Sequence, residues 1–208
     1  MTPPALIFDF GNVIGYFDFE KATTRLGRKF GVSGRALLDR LRKAGFDSAH
    51  GAFERGEIDA EVFTRTTADL VGLTVTHEEF ALAWADIFTP NESIIPIIAG
   101  LKAQGHRLIL GSNTNSIHAA HFRQQFASTL TYFDRLILSF EIGVMKPHPG
   151  FYLACAAAAE QPPARCIFID DLAENIAGAK ATGMQGIQYT DADSLVVAFD
   201  KLGIHGHP

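Results

Sequence analysis

Four polar stretches, each next to an apolar run, hold the residues best suited to chemistry. Asp9 closes the run Ala5 to Phe8 and is followed by Gly11-Asn12; Ser112-Asn113 closes a second run. Lys146 lies just past a third, and Asp170-Asp171 closes a fourth, with Asn175 beyond it. A carboxylate at the end of a buried run is costly unless something pairs with it. A metal ion, a lysine or a covalent role would each meet that need for Asp9; a local turn cap is the alternative for that stretch alone. Asp170-Asp171 taken alone also fits an acidic pair favoured at a helix N-terminus. Gly11 permits positive φ and a close backbone approach to whatever lies there.

Parallel strands are what must position these residues. Ala5 to Phe8 reads as a fully buried strand. From Pro90 the chain alternates helix and strand. Strands are expected at His106 to Leu110, Leu136 to Phe140, Cys166 to Ile169 and Gly186 to Tyr189. Between them lie a helix capped by Ser93 and ended by Gly105, one carrying Ile117 and Phe122, an alanine-rich one from Pro149 to Glu160, and one carrying Asn175, Ile176 and Ala179; a last runs from Leu195 to Leu202. Such alternation implies a parallel sheet with helices on both faces. Open α/β sheets bind ligands beyond the carboxyl ends of their strands. Polar residues at four strand ends on one rim are hard to explain as structure alone.

Residues 16–88 read as successive helices without a convincing strand. Asp18, Ser33, Asp59 and Thr76 can each cap one, the last in a capping box with Glu79. A polar loop, Phe53-Glu54-Arg55-Gly56-Glu57-Ile58, lies among them. The expected organisation is an α/β core of residues 1–15 and 89–208 with a helical-bundle cap, 16–88, inserted after the first strand.

The ordered set of motifs resembles the haloacid dehalogenase (HAD) superfamily over nearly the full length. Phe8-Asp9-Phe10-Gly11-Asn12-Val13 is similar to the first motif, Gly111-Ser112-Asn113 to the second, Lys146-Pro147 to the third, and Asp170-Asp171 with Asn175 and Gly178-Ala179 to the fourth. The insertion resembles a C1 cap. The first motif, Glu54-Arg55-Gly56-Glu57-Ile58 and Ser112-Asn113-Thr114-Asn115 resemble the bacterial α-D-glucose-1-phosphate phosphatase branch. The resemblance implies a HAD-like Rossmannoid fold and a Mg2+-dependent phosphatase acting on a small phosphorylated metabolite, glucose 1-phosphate being the best match. Asp9 would attack phosphorus and form an aspartyl-phosphate. Mg2+ would be held by Asp9, the Gly11 carbonyl and Asp171, with Asp170 binding directly or through water. Lys146 would neutralise Asp9 and the phosphoryl oxygens, and Ser112 with the Asn113 backbone would hold another oxygen. Asn175 would contact the metal-site carboxylates, and Glu54 and Arg55 would face the substrate from the cap.

One position departs from the pattern: Gly11 stands where the family carries the Asp of general acid–base catalysis. Either the leaving group is relatively acidic, as in an anomeric sugar phosphate, or the cap supplies a base, with Glu54 and Asp18 as candidates. Gly11 would also leave room that an Asp would fill. Two other readings are a metal-independent 2-haloacid dehalogenase and a non-catalytic binding or regulatory protein. The adjacent Asp170-Asp171 favours a metal and hence phosphate.

Bulk properties set the remaining bounds. The 208 residues suffice for one good core plus a small accessory domain. The net charge of −5 and the absence of a basic tract argue against nucleic acid. No apolar run matches a membrane span, and the N-terminus lacks the pattern of a signal peptide. Cys155 and Cys166 lie in apolar context, as buried reduced thiols do, and a cytoplasmic monomer or weak homodimer is expected. His118 with His121, and His205 with His207, lack a third ligand and read as surface pairs; Trp84 reads as cap core.

Overall fold

The computed structural model describes residues 3–205. Met1, Thr2 and His207 lie outside the described residues. In chain order the strands are β1 (Ala5–Phe8), β2 (Gly15–Phe17), β3 (Phe88–Pro90), β4 (Leu108–Ser112), β5 (Arg135–Leu138), β6 (Cys166–Asp170) and β7 (Gln185–Gln188). The helices are α1 (Phe19–Arg28), α2 (Gly34–Lys43), α3 (Phe46–Glu54), α4 (Ala60–Val71), α5 (His77–Ala85), α6 (Ile95–Ala103), α7 (Ser116–Gln125), α8 (Ala127–Leu130), α9 (Ser139–Ile142), α10 (Pro149–Ala158), α11 (Ala173–Ala181) and α12 (Ala192–Lys201).

Among the described residues, five strands form one parallel sheet in the order β5-β4-β1-β6-β7. Its central strand, β1, is buried at every position because both faces are covered. Side chains alternate between two cores along it. Leu6 and Phe8 join one with Leu108, Leu110, Ile167 and Ile169, while Ala5 and Ile7 join the other with Ile109, Cys166 and Phe168. Phe8 pairs with Leu110 on one side and Ile169 on the other, so Asp9 emerges beside Gly111 and Asp170. The register therefore brings the polar strand ends to one rim.

Between β2 and β3 the chain forms α1 to α5. Asp18, Ser33, Asp59 and Thr76 cap α1, α2, α4 and α5 as expected, with the reciprocal Thr76–Glu79 box in place. Their shared core is aromatic: Phe53 stacks on Phe63 and Phe80 on Trp84, at centroid distances of 4.5 and 5.3 Å. Trp84 is fully buried and also stacks on His118 of α7, so it joins the insertion to the sheet domain.

Several elements differ from their sequence reading. The segment before the insertion and the one after it pair as an antiparallel ribbon, Gly15 opposite Pro90 and Phe17 opposite Phe88. Three-residue strands are too short to show a period. Phe53 and Glu54, expected in a loop, end the helix α3, whose N-cap Gly45 makes no side-chain cap and so gave no start signal. Ser93 does not cap α6; its hydroxyl donates to Asn91 Oδ1 at 2.7 Å, and the helix starts uncapped after Ile94. β4 runs on through Ser112, and β5 stops at Leu138, where Ser139 and Phe140 turn into α9. Cys155 and Cys166 are free and buried, as expected. Among the described residues no helix is long and apolar enough to cross a membrane.

Candidate active site

Asp9 sits where β1 stops. Its amide still donates to Ile169 O at 2.9 Å, so the backbone remains part of the sheet while the side chain turns onto the rim. Asp9 Oδ1 accepts from the Phe10 amide at 2.6 Å and from Lys146 Nζ at 2.7 Å. The same ammonium donates to Asp170 Oδ2 at 2.7 Å. Asp170 is completely buried, and its two oxygens also accept from Asn175 Nδ2 at 2.9 and 3.0 Å and from the Leu172 amide at 2.9 Å. Asp171 stands further out. Its Oδ2 accepts from Asn12 Nδ2 at 3.0 Å, and Asn12 itself holds a left-handed φ of 55°.

Lys146 is fixed from behind by the second motif. Asn113 Nδ2 donates to the Lys146 carbonyl at 3.0 Å, and the Lys146 amide donates to Asn113 Oδ1 at 2.8 Å. This reciprocal pair aims the lysine across the rim from β4. The rings of Phe151 and Phe168 flank its ammonium at 5.9 and 5.6 Å. Burial pulls the lysine pKa down, but the carboxylates of Asp9 and Asp170 outweigh it and hold the group above its ordinary value. Burial pushes Asp9 up to about 7 against the pull of Lys146, and Asp170 adds to the rise.

Oxygen atoms of Asp9, Asp170 and Asp171 lie within 4.8 Å of one another. Three carboxylates there share one ammonium, so the fully ionised cluster is short of positive charge. The donor set is all oxygen, which suits a hard divalent cation. The cluster opens into a cavity of about 290 Å³ lined by Asp9, Gly11, Ser112, Asn113 and Lys146 from the rim and by Phe17, Phe19, His50 and Glu54 from the insertion side.

A family model for haloacid dehalogenase-like hydrolases matches residues 4–183. The chain belongs to this family. It is 28% identical over 189 residues to a D-ribitol-5-phosphate phosphatase from Bacteroides thetaiotaomicron, covering 88% of this chain and 90% of that one. A solved HAD family enzyme from the same organism superposes with a TM-score of 0.81 at 22% identity, over 96% of this chain and 99% of the other. A structure of that family enzyme in complex with magnesium and inorganic phosphate gives a TM-score of 0.75 at 22% identity, over 90% and 94% of the two chains. At such identities the superpositions establish the HAD fold.

In this HAD-like hydrolase Asp9, Gly11, Ser112, Asn113, Lys146, Asp171, Asn175 and Glu54 line one cavity, and Asp170 stands directly behind it. Two expectations fail. Arg55 does not line the cavity: its guanidinium folds onto Glu57 in a two-point pair at 2.6 and 2.9 Å on the surface. Asp18 is exposed and is occupied in capping α1, which removes it as a base. At Gly11 a Cβ would stand 3.0 Å from Cε1 of the exposed Phe17 ring, which would have to give by a few tenths of an ångström to admit it.

His118 also departs from the surface reading. It is 3% exposed and lines the cavity. Asn115 caps α7 and donates from Nδ2 to His118 Nδ1 at 3.1 Å, which assigns the proton to Nε2, and Nε2 donates to Trp84 O at 3.1 Å. Burial drives its pKa down to about 3, so the ring is neutral. The Asn-x-x-His spacing of a cap was the available signal. His50 was legible only as a neighbour of Glu54 on one helical face. Phe17 and Phe19 carried no signal at all.

Proposed function

We propose that this hydrolase is a magnesium-dependent phosphatase that cleaves a small phosphomonoester through an aspartyl-phosphate on Asp9. The observation that carries the reading is the rim cluster: three carboxylates and one buried ammonium around a cavity of about 290 Å³. A dianionic phosphoryl group entering there meets Asp9 and Asp171 and needs more positive charge than Lys146 provides. Asp9, Asp170, Asp171 and the Gly11 carbonyl would hold Mg2+, which when bound supplies that charge.

The chain's own groups divide the remaining work. Oδ1 of Asp9 is held by Lys146 and the Phe10 amide, which leaves Oδ2 to bond phosphorus. Lys146 steers and neutralises a phosphoryl oxygen. Ser112 Oγ, half-free in a weak 3.3 Å bond to its neighbour's carbonyl, and the Asn113 amide would hold another. Asn175 keeps Asp170 oriented toward the lysine. Phe17 and Phe19 give the insertion side of the cavity an apolar ring surface.

The cavity is at the small end of ligand sites, which suits a compact metabolite. A sugar or sugar-alcohol phosphate is the substrate we favour. The sequence resemblance points to glucose 1-phosphate, and the Bacteroides relative acts on ribitol 5-phosphate by its name. Assaying phosphate release from both, within a panel of phosphorylated metabolites, tests the assignment. Activity should vanish with EDTA and return with added Mg2+. Chloride release from 2-chloropropionate that survives EDTA would favour a dehalogenase instead, and no turnover of any compound would favour a binding protein.

A further inference from the structure

With Asp9, Asp170 and Asp171 assigned to the metal and Ser112 to a phosphoryl oxygen, the rim has no group left to protonate the leaving group. Lys146 is committed to Asp9 and Asp170, and Gly11 offers no side chain. The Phe17 ring beside it is apolar. Any acid must therefore reach the cavity from the insertion. On that side, among the described residues, Glu54 is the one carboxyl that lines the cavity.

The local structure delivers it there. Glu54 ends α3, and the chain then turns at Gly56, whose φ is +68°. A Cβ on Gly56 would stand 2.4 Å from the Phe140 carbonyl, so only glycine lets this turn pack against α9 of the sheet domain. That contact pins the end of α3 over the rim. Arg55 points away to Glu57, so no cation quenches Glu54 by direct pairing. The Glu54 side chain is 16% exposed, and His50 Nε2, buried without a hydrogen-bond partner, lies 3.7 Å from its Oε1.

We propose that Glu54 is the general acid and base of this enzyme, replacing the group absent at Gly11, with His50 as a positioning residue beside it. The inference rests on the phosphatase reading. In the first step the Glu54 carboxyl gives its proton to the ester oxygen as the P–O bond to the leaving group breaks and Asp9 Oδ2 bonds phosphorus. The alcohol departs and Glu54 is left as carboxylate. In the second step that carboxylate takes a proton from water as the water oxygen bonds phosphorus and the bond to Asp9 breaks. Inorganic phosphate, the Asp9 carboxylate and the Glu54 carboxyl result. Burial raises Glu54 to about 7, with Lys146 and Arg55 pulling down and Asp9 pushing up, so both protonation states are accessible near neutrality.

The test uses the full chain with Mg2+ and two kinds of substrate. Glu54→Gln keeps the shape and neutrality of the acid but cannot give up a proton. It should lower kcat by about 10²- to 10⁴-fold on ribitol 5-phosphate or glucose 6-phosphate, whose alkoxides leave poorly. With p-nitrophenyl phosphate the burst of nitrophenolate should stay within a few-fold of wild type, while turnover after the burst slows. Equal losses in the rate of the first step on both kinds of substrate, or no loss in either step on any of them, would overturn the assignment. A second measurement needs no variant. Single-turnover rates of the wild-type enzyme across aryl and alkyl phosphates should depend weakly on leaving-group acidity, and a steep dependence would overturn the role of Glu54 even with phosphatase activity intact. A wild-type enzyme that hydrolyses none of these esters would instead sink the phosphatase reading itself.

Discussion

The two walls of the cavity are built on opposite terms. On the rim of the sheet the polar groups are bound to one another: Lys146 holds Asp9 and Asp170, Asn113 holds Lys146, and Asn175 holds Asp170. Facing it, His50 Nε2 is buried with no partner, Glu54 has no bond shorter than 3.7 Å to it, and Phe17 and Phe19 supply only ring surface. A fully bonded network is rigid and holds charge in one place. A wall with unused polar atoms is instead open to a ligand's hydroxyl groups or to a proton that must move. On the reading proposed above, the rim would carry covalent chemistry and phosphate binding, and the insertion proton transfer and choice of leaving group. Substitutions on the two walls should therefore fail in different ways.

The largest effect belongs to the nucleophile. Asp9→Asn should lower turnover by more than about 10⁴-fold on every phosphate ester, good or poor leaving group alike, with no burst in a rapid-quench assay. A burst in that variant would move the nucleophile elsewhere and end the division of labour. Lys146 comes next. Lys146→Met removes the one ammonium between two buried carboxylates and should cost about 3–5 kcal/mol of stability in urea unfolding, alongside the loss of activity. Added Mg2+ should restore part of that stability, because the cluster then regains positive charge. If the variant is as stable as wild type without metal, the pair is not the keystone of the rim.

How far the chain could be read without coordinates follows the same division. The rim was legible because strand ends in a parallel sheet meet by necessity, and Asp9, Ser112, Lys146 and Asp170-Asp171 each close or follow an apolar run. Caps were legible where a side chain does the capping, as at Asp18, Ser33, Asp59 and Thr76. The opposite wall was largely hidden. Glu54 and Arg55 are neighbours in sequence, yet one faces the cavity and the other folds back on Glu57, a choice made by the turn at Gly56 and its contact with Phe140. The fate of Phe17 depended on a two-strand ribbon too short for any periodicity. His118 looked like a surface residue because its burial comes from Trp84, distant in sequence.

A smaller loss is expected behind the lysine. Asn113→Ala breaks two bonds to the Lys146 backbone without touching its ammonium. Kinetic loss should be about 10- to 100-fold, the equivalent of one or two misplaced hydrogen bonds. Asn113→Asp should recover less than half of it, since a carboxylate can accept from the Lys146 amide but cannot donate to the carbonyl. A variant indistinguishable from wild type would mean that the lysine is placed by its carboxylate partners alone.

The smallest effect lies at the seam between the walls. His118 joins them through its bond to Trp84 O, and its buried ring is held neutral with a pKa near 3, against 6.5 when free. The unfolded chain therefore binds the proton that the folded one refuses. This contribution is intact above pH 6.5 and falls away as the pH drops from there toward 3, with a slope approaching 1.4 kcal/mol per pH unit. Asp9, raised to about 7, has the opposite sign: it favours the folded state at low pH and loses that contribution as the pH rises from 3.8 to 7. The two overlap in the wild-type curve, and His50, held near 4, adds to the His118 side. Subtraction separates them. His118→Gln keeps a donor for the Trp84 carbonyl but has nothing to titrate, so between pH 6 and 4 it should lose about 2 kcal/mol less stability than wild type in urea titrations. Parallel curves for the two proteins would show that the seam opens locally and lets the imidazole charge without global unfolding, and would make the insertion a lid that protonation loosens.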